Sequence, residues 1–98
     1  MEIVFEYHNA GSSKFLSSLA KKKIKRLIKN YPFVAKSYVL FKEELSLKEK
    51  GRGYICGIRL SNPGPLLYAS SHNNDLLTAF NEAIESLKTQ LKKRKALL

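Results

Sequence analysis

The chain has 98 residues, a formal net charge of +10 and a single cysteine. This length predicts one domain spanning residues 1–98, with a hydrophobic core but without room for a large cofactor site. One cysteine excludes an intramolecular disulfide and a cysteine-based zinc cluster, and no apolar run is long enough to span a membrane. The N-terminus lacks a basic leader, so we expect a cytoplasmic protein.

The first half of the chain predicts a strand, a helix and a second strand. Apolar and polar residues alternate over Glu2–His8, which indicates a strand. A helix is predicted from Lys14 to Asn30, with Ser12 or Ser13 as its N-cap and the following proline as its stop. β-branched and aromatic residues favour a second strand from Lys36 to Leu45.

The second half predicts two strands and a final helix. The polar segment Ser46–Gly51 indicates a loop, and alternation from Tyr54 to Leu60 indicates a third strand. A turn containing two prolines and a glycine leads to a fourth strand from Leu66 to Ser71. Residues 73–75 offer a cap for a helix whose apolar residues repeat every three or four positions. Its tail, Lys92 to Leu98, is expected to fray.

The element order is therefore β-α-β-β-β-α. A right-handed crossover makes the first two strands parallel, and the short connections that follow make the other pairs antiparallel. We predict an α+β fold, a two-layer sandwich in which two helices pack on one face of a four-stranded mixed sheet.

The positive charge is concentrated in the two predicted helices. Residues 12–36 carry eight basic and no acidic side chains, and the basic residues of the last helix follow its acidic ones. The candidate RNA-binding residues are Lys21, Lys22, Lys25, Arg26, Lys29, Lys88, Lys92, Lys93, Arg94 and Lys95. Like charges at three- and four-residue spacing repel one another on a helix, so stability does not explain them. A polyanionic partner would explain why these cations are present.

The type of basic residue indicates which part of a nucleic acid is contacted. Lysine outnumbers arginine among the candidates, which favours phosphate contacts over bidentate reading of bases. Aromatic residues are not interleaved with these cations, which argues against a platform that stacks single strands. We therefore expect a structured RNA or a ribonucleoprotein surface, recognised by shape and charge.

Candidate catalytic and metal-binding residues are few. Cys56 lies on the apolar face of a predicted strand, which is typical of a buried structural thiol. His8 and His72 lie at strand ends without carboxylates at metal-ligand spacing. No glycine motif that binds phosphates is present. We predict no catalytic site, no metal site, no cofactor and no small-molecule substrate, and so no enzyme.

The last strand and helix carry a recognisable pattern. Its residues are Asp75, Ala79, Asn81, Leu87, Gln90, Leu91 and Lys93. Together with the element order, this pattern resembles the ribosome hibernation-promoting factor family, which includes ribosome-associated inhibitor A.

The resemblance implies a translation inhibitor that binds the small ribosomal subunit and its rRNA under stress or in stationary phase. Members of the family occupy the channel of mRNA and tRNA, with basic side chains on both helices facing rRNA. The candidate residues above would then contact rRNA. Because the sequence stops at Leu98, we expect a short form without a second domain or an acidic C-terminal extension. Short members depend on a separate ribosome modulation factor to form ribosome dimers.

Two other functions fit the same sequence. A general double-stranded-RNA-binding module would share the α+β class. A membrane-surface or protein-interaction domain would use the first helix as a basic amphipathic patch, although the sheet needs the apolar face of that helix. Competition between naked duplex RNA and ribosomal subunits, and flotation with anionic liposomes, discriminate among the three.

Overall fold

The computed structural model describes residues 2–46 and 51–97. Its elements are β1 (Glu2–His8), α1 (Lys14–Ile28), β2 (Lys36–Ser46), β3 (Gly51–Ser61), β4 (Leu67–Asn73) and α2 (Leu76–Ala96). The sheet has the strand order β1-β2-β3-β4. β1 pairs with β2 in parallel, and the other two pairs are antiparallel. The predicted α+β topology is confirmed.

Both helices begin at residues that the sequence predicts as caps. The Ser13 hydroxyl accepts a hydrogen bond from the Leu16 N–H at 3.2 Å. The Asp75 carboxylate accepts one from the Thr78 N–H at 3.0 Å. Each bond satisfies one of the backbone donors that a helix leaves unpaired in its first turn, which fixes where the helix starts.

α1 ends at Ile28, two residues earlier than predicted. The Tyr31 N–H donates to the Ile28 carbonyl at 2.8 Å, and the Val34 N–H donates to the Tyr31 carbonyl at 3.1 Å. These turns replace helical bonds ahead of Pro32, because the residue before a proline avoids the α region.

α2 continues further than the sequence suggested. The expected fraying from Lys92 is wrong for the described residues, since the helix extends to Ala96. Leu91 is fully buried, and the side chains of Arg94 and Lys95 hydrogen-bond other segments of the chain. Helix stability depends largely on such tertiary contacts, so the end of α2 is held in place.

β1 has the predicted bounds, whereas the other three strands are longer than predicted. β2 and β3 extend until Ser46 pairs with Gly51, so both ends of the predicted loop belong to the sheet. Residues 47–50 lie outside the described part of the chain. β4 begins and ends later than predicted, at Leu67 and Asn73.

The core lies between the helices and one face of the sheet. Phe41, fully buried on β2, contacts the rings of Phe5 and Tyr7 on β1 and of Phe80 on α2, with centroids 5.4–6.2 Å apart. The Tyr7 hydroxyl also hydrogen-bonds the Ser17 hydroxyl of α1. Both helices therefore pack on the same sheet face. Neither helix of the described chain is long and apolar enough to cross a bilayer.

Candidate nucleic-acid interface

A groove of about 500 Å³ lies between the two helices on the side away from the sheet core. Its lining combines side chains from α1, the turn after it, and α2: Lys23, Arg26, Leu27, Asn30, Tyr31, Asn81, Ile84, Glu85, Lys88 and Lys92. Four of these are cations and one is a carboxylate, so the groove carries a net positive charge. A concave cationic surface concentrates field lines and attracts polyanions.

A hydrogen bond across the groove connects the helices. The Lys23 ammonium donates to the Asn81 amide oxygen at 2.7 Å. Beneath it, Leu27 is half-buried and Ile84 is buried, so apolar packing sets the separation of the helices.

Two cations of α2 face the groove. Lys88 forms an ion pair with Glu85 at 2.8 Å, and both side chains are largely exposed. An exposed pair of this type contributes little stability and can exchange its partner readily, so Lys88 can bind a phosphate instead. Lys92 lies one turn further along the helix and also lines the groove.

Lys95 does not line the groove, but it contacts two residues that do. Its ammonium donates to the Asn30 carbonyl at 3.1 Å and lies 5.4 Å from the centroid of the Tyr31 ring. These contacts attach the last turn of α2 to the segment after α1. The charge remains at the surface, because the Lys95 side chain is exposed.

Arg94, another predicted RNA-binding residue, is engaged elsewhere. It is half-buried, and its guanidinium donates to the Asn62 amide oxygen at 2.6 Å and to the Pro65 carbonyl at 3.0 Å. Both acceptors belong to the turn between β3 and β4. The structure therefore separates Arg94 from the groove and gives it contacts that hold this turn.

The remaining candidates on α1 share one arc of the helix, which lies away from Lys23. Residues advance by about 100° each, so Lys21 and Lys25 lie about 160° around α1 from Lys23. Lys21 lines a separate depression at the start of the helix, beside Ser13 and Ser17. Lys22, Lys25, Lys29 and Lys93 are exposed and do not line the groove.

Lys23 and Asn81 are groove residues that the sequence analysis did not select. At about 100° per residue, Lys23 lies between the buried residues of α1 and the candidate cations of that helix. Asn81 belongs to the family-like pattern rather than to a charged run. The only sequence signal for Lys23 is its place in the basic run 21–26. Its role depends on which flank of α1 meets α2.

The described residues that could carry chemistry are isolated from one another. Cys56 is fully buried, and burial raises the pKa of its thiol to about 12, which disfavours the reactive thiolate. His8 pairs with Glu6 at 3.2 Å on the exposed sheet surface, and the His72 ring lies against Gly53. In residues 2–46 and 51–97, no group of three metal-ligating side chains comes together.

The fold and the groove define a class of small basic α+β domains, in which two helices share one face of a mixed sheet. The chain belongs to the family described as Sigma 54 modulation protein / S30EA ribosomal protein, whose model matches residues 3–98. The family resemblance stated from the sequence is thereby confirmed.

Solved structures share this fold. A ribosomal subunit interface protein from Coxiella burnetii superposes with a TM-score of 0.83 at 23% identity, covering 98% of this chain and 99% of that one. The N-terminal domain of Protein Y from Thermus thermophilus superposes with a TM-score of 0.72 at 22% identity, covering 94% and 93%. No curated protein matches the chain in sequence.

Proposed function

We propose that this protein is a non-enzymatic, cytoplasmic ribosome-binding factor that holds ribosomes inactive under stress or in stationary phase. The observation that carries the proposal is the cationic groove between α1 and α2, in a chain that belongs to the S30EA family. The likeness to a ribosomal subunit interface protein supports the same partner.

The proposed binding site is the rRNA of the small subunit, in the channel that mRNA and tRNA otherwise occupy. Lys23, Arg26, Lys88 and Lys92 bind backbone phosphates inside the groove. The predicted cations outside it extend the positive surface on either side: Lys21, Lys22, Lys25, Lys29, Lys93 and Lys95. Occupation of the channel excludes tRNA and mRNA sterically, so inhibition needs no chemical step.

Phosphate binding explains both the affinity and its dependence on salt. Each neutralised phosphate releases condensed counterions, and about six to ten contacts lower affinity by roughly 10³ to 10⁵ between 50 and 200 mM salt on the duplex-DNA scale. We expect binding to small subunits to fall over this range. A separate modulation factor would be needed for ribosome dimers.

Co-sedimentation with purified small subunits tests the site. The double variant Lys23→Gln with Lys92→Gln removes two groove cations, and we expect weaker binding and a salt slope lower by about 0.9 for each phosphate that is no longer neutralised. The matched control is Lys36→Gln with Lys42→Gln. It removes the same charge from two lysines that already pair with Glu2 and Glu44 at 3.7 and 3.3 Å.

The control should bind like the unaltered protein. If both double variants lose the same amount of affinity for small subunits, bulk charge rather than the groove determines binding. Equal affinity for naked duplex RNA and for subunits would contradict a ribosome-specific function. A sucrose gradient of stationary-phase lysate should place the protein in ribosomal fractions and not at the top of the gradient.

A further inference from the structure

The sheet face opposite the helices carries a row of side chains that the proposed function does not use. The strand register aligns Val4, Tyr38, Arg59 and Tyr68 as direct neighbours across β1, β2, β3 and β4. Successive residues of a strand point to opposite faces, and the core residues beside this row face the helices. No described segment packs over the row.

Two planar groups of the row are already stacked. The Arg59 guanidinium lies over the Tyr38 ring, 4.4 Å from its centroid. Guanidinium groups are planar and stack on aromatic faces, so an exposed arginine beside a tyrosine can also stack on a further planar group.

Tyr68 supplies a third planar group. Its ring lies over Gly57, whose missing side chain leaves space: a Cβ there would be only 3.1 Å from the Tyr68 hydroxyl oxygen. The residue is 53% exposed. Tyrosine combines a large apolar ring with a polar hydroxyl, and residues of this type are enriched at interfaces.

The charges on this face leave Arg59 available. Lys36 pairs with Glu2, Lys42 with Glu44, and His8 with Glu6, at 3.2–3.7 Å. Among the described residues, no carboxylate forms an ion pair with Arg59. With histidine counted as neutral, the three carboxylates of these pairs balance Lys36, Lys42 and Arg59, so the named groups carry no net charge, and Arg59 lies between two tyrosines.

A shallow depression of about 220 Å³ follows the row, and its lining also includes Glu6, Val39, Leu40 and Gly57. This volume is below the roughly 300–1,000 Å³ of pockets that enclose a drug-sized ligand. It suits flat groups laid on the surface rather than an enclosed metabolite.

We propose that this row is a second RNA-binding surface, which stacks unpaired nucleobases of a single strand. Aromatic side chains on an open sheet are a general means of holding splayed bases, and arginine adds cation–π attraction and a phosphate contact. A second copy of this chain is a poorer occupant, because each copy carries a net charge of +10. Sequence inspection for aromatics among the helix cations misses this row, which the sheet register assembles.

Fluorine NMR of protein labelled with 3-fluorotyrosine tests the proposal without ribosomes. The probe is a short oligoadenylate, compared with an abasic oligomer of the same length. We expect the oligoadenylate to shift the Tyr38 and Tyr68 resonances through ring currents, and the abasic oligomer to leave them unchanged. Shifts confined to Tyr31, beside the helix groove, would overturn the proposal. So would shifts at Tyr38 and Tyr68 that follow protein concentration without RNA, which indicate self-association.

Variants with matched controls measure the contribution of the rings. Tyr68→Leu should weaken oligoadenylate binding by roughly 5- to 150-fold, the range for removing one stacked base, whereas Tyr68→Phe should retain it. Thermal unfolding of both variants checks that the fold survives. Equal affinity of the Leu and Phe variants would refute stacking.

The outcome is separable from the proposed function. The groove variant Lys23→Gln with Lys92→Gln should lose binding to subunits and still show the tyrosine shifts. Loss of the shifts in that variant would assign single-strand binding to the groove and contradict the role of the sheet.

Discussion

The Lys23 ammonium and the Asn81 amide oxygen, 58 positions apart in sequence, meet at 2.7 Å across the groove between α1 and α2. Asn81 thereby holds a cation at the rim of the groove. The bond also connects the two helices directly, in addition to the apolar contacts beneath it.

Substitutions of Lys23 and Asn81 should separate the effect of charge on RNA binding from the effect of the helix–helix hydrogen bond on stability. Lys23→Gln removes one charge, and we expect the salt slope of subunit binding to fall by about 0.9 if Lys23 contacts a phosphate. Asn81→Ala keeps every charge, so it should leave the slope unchanged and lower the free energy of unfolding by about 1 kcal/mol. Salt titrations and urea unfolding measure the two effects. A lower slope in Asn81→Ala would show that Lys23 needs its hydrogen bond with Asn81 in order to contact a phosphate.

Arg94 should matter for stability rather than for RNA binding. Arg94→Met deletes the donors to Asn62 and Pro65, and we expect a loss of about 1.5 kcal/mol in the free energy of unfolding, since hydrogen bonds from charged groups are among the stronger ones. The control is Lys93→Met, at an exposed neighbouring position. Urea unfolding should distinguish the two variants, while both bind subunits alike. If Arg94→Met binds subunits more weakly and Lys93→Met does not, Arg94 contributes to RNA binding after all.

Cys56 should be unreactive in the folded protein. With its pKa raised to about 12 by burial, only roughly one thiol in 10⁴ is ionised at pH 8, and the thiolate is the reactive form. Ellman's reagent should therefore label the native protein very slowly and the urea-unfolded protein at once. Rapid stoichiometric labelling of the native protein would contradict the buried position.

The stability of the folded protein should depend on pH in the acid range, because the N-cap of α2 is a carboxylate. Hydrogen bonds from the Thr78 side chain and backbone lower the pKa of Asp75 from its ordinary value of 3.8. The cap thus stabilises the folded state fully above the unfolded pKa, and its contribution is lost as pH falls through the lower folded value.

Asp75→Asn isolates this contribution, because asparagine caps helices about as well as aspartate but does not titrate. We expect similar melting temperatures for the two proteins near neutral pH and a relative loss for the unaltered protein below about pH 4. Asp75→Ala should melt at a lower temperature than either at neutral pH. A constant difference between Asp and Asn across the whole pH range would contradict the predicted coupling.

Most of the secondary structure could be predicted because its signals are local. Alternation identified the first and third strands, residue type identified the second, and a turn located the fourth. Ser12 or Ser13 and residues 73–75 marked the two helix starts, and the crossover rule identified the parallel pair. The ends were less accurate, since tertiary contacts decide them. α1 stops early where Ile28 bonds with Tyr31, and α2 is long because its last turn is bonded to the rest of the chain.

Composition and periodicity are properties of the chain, so they were enough to predict a small, strongly basic α+β domain with its excess charge on two helices. Which of these cations line one groove depended on how the two helices pack. The helical period tells which residues share a face of one helix, but not which side of that helix meets its neighbour. The sequence therefore did not predict that Lys23 lines the groove and that Arg94 does not. Likewise, Tyr38 and Arg59 became neighbours only through strand register, which joins residues that no local pattern relates.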